Sequence, residues 1–297
     1  MKIDKPDLTV IVPVYNEEQV LPITSKEIIQ HCSKRGWQVI FVNDGSSDGS
    51  GNVLEALPAN PHVKILHHKV NRGYGGAIKT GIQHTETTYL VTIDADGQHK
   101  LEDIDRLYKL ALQKDADLVV GKRGNNGNIN AYRAVGKQII RSFARILMPL
   151  PIHDLNSGFK LYRTELANKY LKICPDTMAF SETITLAFIK QRHLVLEHSI
   201  SVNPRLGGRS TINTYTAIET IMEILNIAIL FNPLRIFIPI SMLCITVGLI
   251  WGITIFSINK LGVSVGAMLA IVTGIIFFVL GLLANQISAL RMDQLQD

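Results

Sequence analysis

The sequence predicts an α/β domain on a mainly parallel sheet, followed by an amphipathic helix and two membrane-spanning helices. Three observations predict it. Apolar, β-rich runs alternate with helix-forming stretches through the first part of the chain. Polar clusters follow three of those runs directly, at the strand ends where ligands gather in parallel sheets. Charge then disappears, with no Asp, Glu, Lys or Arg between Arg235 and Lys260 or between Lys260 and Arg291.

Leu8-Thr-Val-Ile-Val-Pro-Val14 is almost wholly apolar, the pattern of a strand covered on both faces. Helix formers fill Glu17 to Cys32, and Val39-Ile-Phe-Val42 repeats the strand pattern. Asn43-Asp-Gly-Ser-Ser-Asp-Gly-Ser50 reads as a loop ahead of a short helix and the strand Val63-Lys-Ile-Leu66. Ala77 to His84 reads as a helix that leads to the strand Tyr89-Leu-Val-Thr-Ile93. No internal repeat or low-complexity tract interrupts the series.

Each charge-free gap exceeds the roughly 20 apolar residues that cross a bilayer. Two spans are therefore expected, Ile236 to Ile258 and Leu261 to Ala284, with a pair of buried core helices as the alternative. Before them Tyr215, Ile218, Ile221, Met222, Leu225 and Ile229 recur at helical spacing, which fits a helix in the membrane interface or one packed on the first domain. The expected organisation is a catalytic domain over 1–210, an amphipathic juxtamembrane helix over 211–234 and a two-helix membrane domain over 235–290. Met1 to Asp7 is charged and the apolar run after it is too short for a signal peptide, so the first domain is expected in the cytosol. Two spans return the C-terminus to the same side. Arg235 and Arg291 agree with the positive-inside rule, and Lys260 dissents. Cys32, Cys174 and Cys244 are odd in number and lack C-x-x-C spacing, as in a reducing compartment. A net charge of +5 over 297 residues is too diffuse to imply nucleic acid. Gly262 and Gly266 make a small-xxx-small pair suited to helix contacts or a homo-oligomer.

Asp94-Ala-Asp-Gly-Gln98 places two carboxylates and an amide oxygen in one turn after a strand. Hard cations take such oxygens, so Asp94, Asp96 and Gln98 are candidate ligands for Mg2+ or Mn2+, completed by substrate phosphates. A solvated Asp-Gly turn has the same spacing. In Gly73-Tyr-Gly-Gly-Ala77, the absent side chains of Gly73 and Gly75 would admit phosphate or sugar to backbone N–H groups, or simply form a turn. This is neither the dinucleotide fingerprint nor a P-loop. Asp44 could accept a hydrogen bond from a base ring N–H, or belong to the turn that Asn43 and Asp48 shape. Bringing an anionic acceptor to an anionic donor requires cations, for which Arg123, Arg133, Lys137, Arg205 and Arg209 are candidates. Arg141 and Arg145, on a helix from about Ala134, are expected to face water or lipid headgroups. His99, His153 and His193 have no metal-ligand spacing and read as structural.

Five motifs occur in order: Val12-Pro-Val-Tyr-Asn-Glu17, Asn43-Asp-Gly-Ser-Ser-Asp-Gly49, Asn71-Arg-Gly-Tyr-Gly-Gly-Ala77, Asp94-Ala-Asp-Gly-Gln-His99 and Asp154-Leu-Asn-Ser-Gly-Phe159. Over about residues 8 to 210 the chain resembles the family 2 glycosyltransferases of the dolichol-phosphate mannose synthase type. The resemblance implies a GT-A fold and inverting transfer from a UDP- or GDP-linked sugar to a polyprenyl phosphate. It implies that Pro13, Tyr15, Glu17 and Asp44 line the nucleotide pocket, and that Asp94, Asp96 and Gln98 serve the metal and the diphosphate. It further implies that Arg209 lies near the donor diphosphate, that Arg123 and Arg133 hold the acceptor phosphate, and that Asp154 is the acceptor-side carboxylate treated as the catalytic base.

Two positions depart from the pattern. Asn43 stands where many members have a first Asp, which leaves Asp44 to recognise the base alone and keeps uracil and guanine both open. Lys100-Leu101 replaces a frequent proline after the histidine. Two other readings are weighed against transfer to a lipid phosphate. A processive polysaccharide synthase would need a Q-x-x-R-W motif, poorly matched by Lys190-Gln-Arg-His193. A non-catalytic membrane scaffold would be expected to lose the Asp94-x-Asp96 carboxylates, which are present.

Overall fold

The structure, a computed structural model, describes residues 7–124, 152–203, 222, 225–259 and 264–293. The chain forms two compact units, Met1–Gly127 with Pro151–Thr211, and Asn128–Leu150 with Ile212–Asp297.

The first unit runs β1 (Leu8–Val14), α1 (Leu21–Ser33), β2 (Gln38–Asn43), α2 (Ser50–Glu55), β3 (Val63–His67), α3 (Tyr74–Gln83) and β4 (Tyr89–Thr92). It continues with α4 (Glu102–Lys114), β5 (Leu118–Arg123), β6 (Lys160–Arg163), α5 (Thr164–Tyr170), a 3-10 turn (Leu171–Ile173), α6 (Phe180–Lys190) and β7 (Val195–Ile200). The seven strands lie in the order β3-β2-β1-β4-β6-β5-β7. β6 is antiparallel to both neighbours, β4 and β5, and the other pairs are parallel. The sheet is thus mainly parallel, as expected, with one antiparallel strand. The antiparallel insert has a functional consequence: β6 starts where β4 and β5 end, so the residues leading into it meet the loops leaving them.

The central strands are apolar because both faces are covered. Val10, Val12, Phe41, Val91, Phe159 and Leu161 are all buried in one core with Ile104 and Leu107 of α4. α1 starts at Leu21, not at Glu17, since Glu17 accepts the N–H groups of Val20 and Leu21 in a preceding turn and Pro22 suits the first helical turn. α3 starts three residues before the expected Ala77 and takes Gly75 and Gly76 into its first turn. It also lies very close to the sheet, because a Cβ on Gly81 would come within 2.4 Å of Ile11 Cγ2, and Ile11 is fully buried.

In the second unit α7 (Leu234–Asn259) and α8 (Val265–Asp293) pack on one another. The core-helix alternative fails on exposure, since only 11% and 17% of their apolar windows are buried. Both helices are long and apolar enough to cross a membrane. α8 begins at Val265 because Ser264 Oγ accepts the Ala267 N–H, an N-cap. It runs beyond Ala284 because Asn285 to Asp293 contains no helix breaker, so the apolar stretch and the helix end at different places. Glycines set the close approach: a Cβ on Gly274 would lie 2.5 Å from Ile245, and Ser241 Oγ donates to the Gly274 carbonyl at 2.7 Å. Gly266 faces Trp251 of α7, a contact within the chain, and Gly262 lies outside the described residues. Of the amphipathic stretch, Tyr215, Ile218 and Ile221 lie outside the described residues. Residues 225–231 are helical and bury Ile227, Ala228 and Phe231, whereas Met222 and Ile229 stay exposed. Ser288 donates to the Leu230 carbonyl, so this helix packs on the end of α8.

Replacing Gly81 with Val should overpack the α3–β1 contact and lower stability by about 1–3 kcal/mol. Thermal unfolding of the detergent-solubilised protein measures it, and an unchanged melting temperature would refute the close-packing account.

Candidate active site

The loops after β1 and β2 are stitched together by short side chains. Asn16 holds φ 54°, its N–H donates to Ser46 Oγ at 3.1 Å and its Oδ1 accepts from the Ser47 N–H at 2.9 Å. Ser50 Oγ accepts the Glu17 N–H, and Glu18 accepts the Gly49 N–H, both at 2.9 Å. Asp48 accepts the N–H groups of Glu18 and Ser50, and Asn43 accepts that of Ser46, so both shape the turn as expected. Burial pushes the Asp48 carboxyl up, but these hydrogen bonds outweigh it and hold its pKa below the usual carboxylate value. Pro13 and Glu17 are half-buried beside this junction, and Tyr15 stands 48% exposed.

Asp44, at the end of β2, is buried with its carboxylate engaged. Oδ1 accepts the Arg72 N–H and Oδ2 the Gly73 N–H, each at 2.9 Å, while His68 Nδ1 lies 2.6 Å from Oδ1 and its Nε2 lies 2.9 Å from Thr80 Oγ1. The glycine segment is therefore held from below by Asp44. From the other side the 175–177 backbone fills the space that the glycines leave. A Cβ on Gly73 would meet the Asp176 carbonyl oxygen at 2.5 Å, one on Gly75 the Pro175 oxygen at 2.5 Å, and the Gly76 N–H donates to Asp176 O at 3.1 Å. The open phosphate cradle expected at Gly73 and Gly75 is occupied by protein backbone. What the glycines admit here is the 175–177 segment, locked further by Lys79 Nζ on Asp176 at 2.6 Å.

After β4, Gly97 at φ 72° turns the chain so that the Gln98 N–H donates to Asp96 Oδ1 at 3.0 Å. Asp96 is buried, and the Asp94 side chain is 38% exposed. His99 stacks on Phe159 with centroids 5.0 Å apart and sets Nε2 3.4 Å from Asp94 Oδ2, so it is more closely tied to the turn than its structural reading implies. The Asn203 N–H on the Gln98 carbonyl, at 2.8 Å, closes the turn. Gly158 is needed because a Cβ there would lie 3.0 and 3.1 Å from the Asp94 oxygens and 2.8 Å from the Tyr74 hydroxyl. Thr92 Oγ1 donates to the Gly158 carbonyl at 2.6 Å. Two motifs far apart in sequence thus meet at one carboxylate.

Arg123 ends β5, and Asp154 lies in the segment that enters β6. Nε donates to Oδ2 and Nη2 to Oδ1, both at 2.8 Å, and the Arg123 N–H adds a third bond at 3.1 Å. The hydrogen bond that Arg123 donates to Asp154, then the charges of Asp154 and Asp94, raise the Arg123 pKa against the effect of burial. Burial pushes Asp154 up, but the bonds and charge of Arg123 and the charge of Lys160 prevail and lower its pKa. Arg133, Lys137 and Arg209 lie outside the described residues, as do Arg141, Arg145 and Arg205. His153 pairs with Glu197 at 2.8 Å and His193 with the Tyr170 hydroxyl at 2.6 Å, as structural histidines.

Several residues that hold the site escaped sequence reading. Lys160 is fully buried and gives its three ammonium protons to Leu155 O and Ser181 O at 2.6 Å and to Thr185 Oγ1 at 2.8 Å. A lone lysine in the apolar run Phe159-Lys-Leu-Tyr162 was the available signal. Tyr74, His68 and Glu197 carried none.

Asp94 and Asp96 offer a cation carboxylate oxygens, and Gln98 an amide oxygen. Among the described residues no three His, Cys, Asp or Glu side chains converge on one point, so such an ion would need further oxygens from substrate. That donor set fits a divalent hard cation shared with a diphosphate. A cavity of about 530 Å³ between α1 (Thr24, Ile28, His31) and the turn (Asp94, Gly97, His99) reaches only Asp94 of the expected site and lies apart from Asp44, Arg123 and Asp154.

Residues 9–171, more than half of the chain, match the Glycosyl transferase family 2 domain, and residues 232–290 match the GtrB C-terminal hairpin. The undecaprenyl-phosphate 4-deoxy-4-formamido-L-arabinose transferase of Pectobacterium atrosepticum is 28% identical over 78% of this chain and 70% of its own length. The polyprenol monophosphomannose synthase of Mycolicibacterium smegmatis is 29% identical over 72% of this chain and 84% of its own. The fold is that of the Mycobacterium tuberculosis glucosyl-3-phosphoglycerate synthase, solved with Mn2+, uridine diphosphate and phosphoglyceric acid, with TM-score 0.59 and 16% identity over 75% of this chain and 78% of that one. With its glycosyltransferase sheet carrying the carboxylate turn, and with the match running from β1 into the 3-10 turn, the chain belongs to glycosyl transferase family 2.

Proposed function

We propose that this enzyme transfers a monosaccharide from a nucleotide sugar to a polyprenyl phosphate at the cytosolic membrane face, with inversion, giving a polyprenyl-phosphate sugar. The observation that carries the reading is the convergence of Asp94, Gly158, Arg123 and Asp154, which sets a guanidinium fork beside a carboxylate turn. Curated relatives named for undecaprenyl-phosphate and polyprenol substrates support the acceptor class.

Asp94 and Asp96, with Gln98, would hold Mg2+ or Mn2+. When bound, such an ion neutralises the charge that builds on a diphosphate leaving group. Tyr15 offers an exposed ring for the base, flanked by Pro13 and Glu17. Asp44 contributes by fixing Arg72 and Gly73 beside the junction of the β1 and β2 loops. Gly73 and Gly75 act through the 175–177 segment that they admit. Arg123, with Arg133 and Lys137, would receive the acceptor phosphate, and Arg209 the donor diphosphate. In the reaction a phosphate oxygen of the acceptor bonds to the anomeric carbon as the bond from that carbon to the diphosphate breaks. The pair of electrons leaves with the nucleoside diphosphate. Because a phosphate monoester ionises a second time near pH 6, the attacking oxygen needs no general base at neutral pH.

The two apolar helices fit a membrane anchor that would keep this chemistry beside its lipid acceptor. With Arg235 and Arg291 at the outer ends of the hairpin, both termini fall on the cytosolic side.

Purified protein in lipid nanodiscs, offered UDP- and GDP-sugars with undecaprenyl or dolichyl phosphate, should form a labelled lipid product. Chelation should abolish it and Mn2+ or Mg2+ restore it. Product formed at full rate in excess chelator would exclude the metal. Asp96→Ala should lower transfer by at least about 100-fold, the effect of losing about 3 kcal/mol of charge stabilisation; survival of activity would remove the carboxylate turn from the mechanism. Asp44→Ala should leave the Arg72 N–H unpaired and the Gly73 N–H with Asn71 Oδ1 alone, raise the KM for the donor and cost about 1–3 kcal/mol of stability. A donor KM equal to that of the parent would dismiss Asp44 from the donor pocket.

A further inference from the structure

We propose that Asp154 is a positioning residue, which holds the Arg123 guanidinium in place for the acceptor phosphate. The inference rests on the transfer reading above and concerns how the acceptor is held. A general base must keep a lone pair turned toward the nucleophile. Arg123 fills three of the four lone-pair sites of Asp154, Oδ2 taking the backbone N–H and Nε and Oδ1 taking Nη2, which leaves a single site on Oδ1. The side chain of Asp154 is 16% exposed and that of Arg123 is 43% exposed, so the carboxylate sits behind the cation. A substrate arriving from solvent meets the guanidinium first. The lowered pKa of Asp154 agrees, because it weakens the carboxylate as a base.

Asp154 is itself fixed from two sides. Glu197 Oε1 accepts the N–H groups of His153, at 2.6 Å, and of Asp154, at 3.1 Å. One residue further on, the Leu155 carbonyl takes a proton from buried Lys160. Gly158 of the same segment lies against Asp94. A single segment therefore sets the acceptor-side arginine and abuts the donor-side carboxylate, so the register of one relative to the other is built in. An arginine already ordered loses less side-chain freedom when it binds phosphate. Its planar fork can keep one edge on a carboxylate and offer the other to an anion.

Two measurements on the full chain in nanodiscs test this: equilibrium binding of undecaprenyl phosphate without donor, and steady-state transfer. Asp154→Asn should weaken lipid-phosphate binding and raise the lipid KM by about 10- to 100-fold, with kcat within about threefold of the parent and the donor KM unchanged. Arg123→Lys, which keeps the charge and loses the fork, should do the same and serves as the independent variant if Asp154→Asn does not fold. Adding Asp154→Asn to Arg123→Ala should cost nothing further. Normal lipid binding in Asp154→Asn, with kcat lost at saturating lipid, would overturn the inference and return Asp154 to base catalysis. So would losses that multiply in the double variant. A parent that binds the lipid phosphate but transfers no sugar to it would sink the transfer reading and leave the positioning role standing; a parent that does neither would overturn both.

Discussion

A lysine ammonium with no solvent exposure persists only if its protons are taken by the protein, and Lys160 meets that condition through three acceptors. Burial pushes its pKa down, and the charges of Glu182 and Asp154 oppose that shift. The three acceptors belong to the loop before β6 and to α6, so the cation joins the segment carrying Asp154 to the helix behind the site. The Tyr74 hydroxyl at the start of α3 has its pKa raised by burial and by the charge of Asp94, and Ser181, whose carbonyl takes one of those protons, opposes that rise. Through the Lys160 ammonium the segment before β6, which sets Gly158 against Tyr74 and Asp94, is tied to α6.

The second constraint is backbone proximity. Gly158 brings a chain segment against a carboxylate, while Gly73 and Gly75 bring another against the start of a helix. Neither contact tolerates a side chain, and Gly158 lies just before β6, whose start meets the ends of β4 and β5. An extra strand of opposite direction in a parallel sheet thus supplies what the parallel strands alone could not, a chain entering the crevice from its floor.

Charge explains why the elements are arranged in this way. Two anions must approach each other in the proposed reaction, and a bare guanidinium beside Asp94 would be drawn to that carboxylate. Asp154 gives Arg123 a fixed partner of its own, so the cation is both present and directed. The cost is a partly neutralised charge; the gain is geometry, which matters more where a planar fork meets a phosphate.

Order and spacing of motifs, apolar strand runs and charge-free helices are local properties, and the sequence by itself determined them: the strands at Leu8, Val39 and Tyr89, the carboxylate turn at Asp94 and the two apolar helices all lie where composition put them. Helix ends were less legible because caps decide them, as Ser264 does for α8 and Asp44 with Asp176 for α3. Partner choice was not legible at all. Arg123 and Asp154 are 31 residues apart and Thr92 and Gly158 are 66, and only the insertion of β6 between β4 and β5 brings them together. That insertion also brings Gly158 against Asp94 and Asp154 against Arg123. Strand order depends on contacts summed across the whole sheet, which no window of sequence contains.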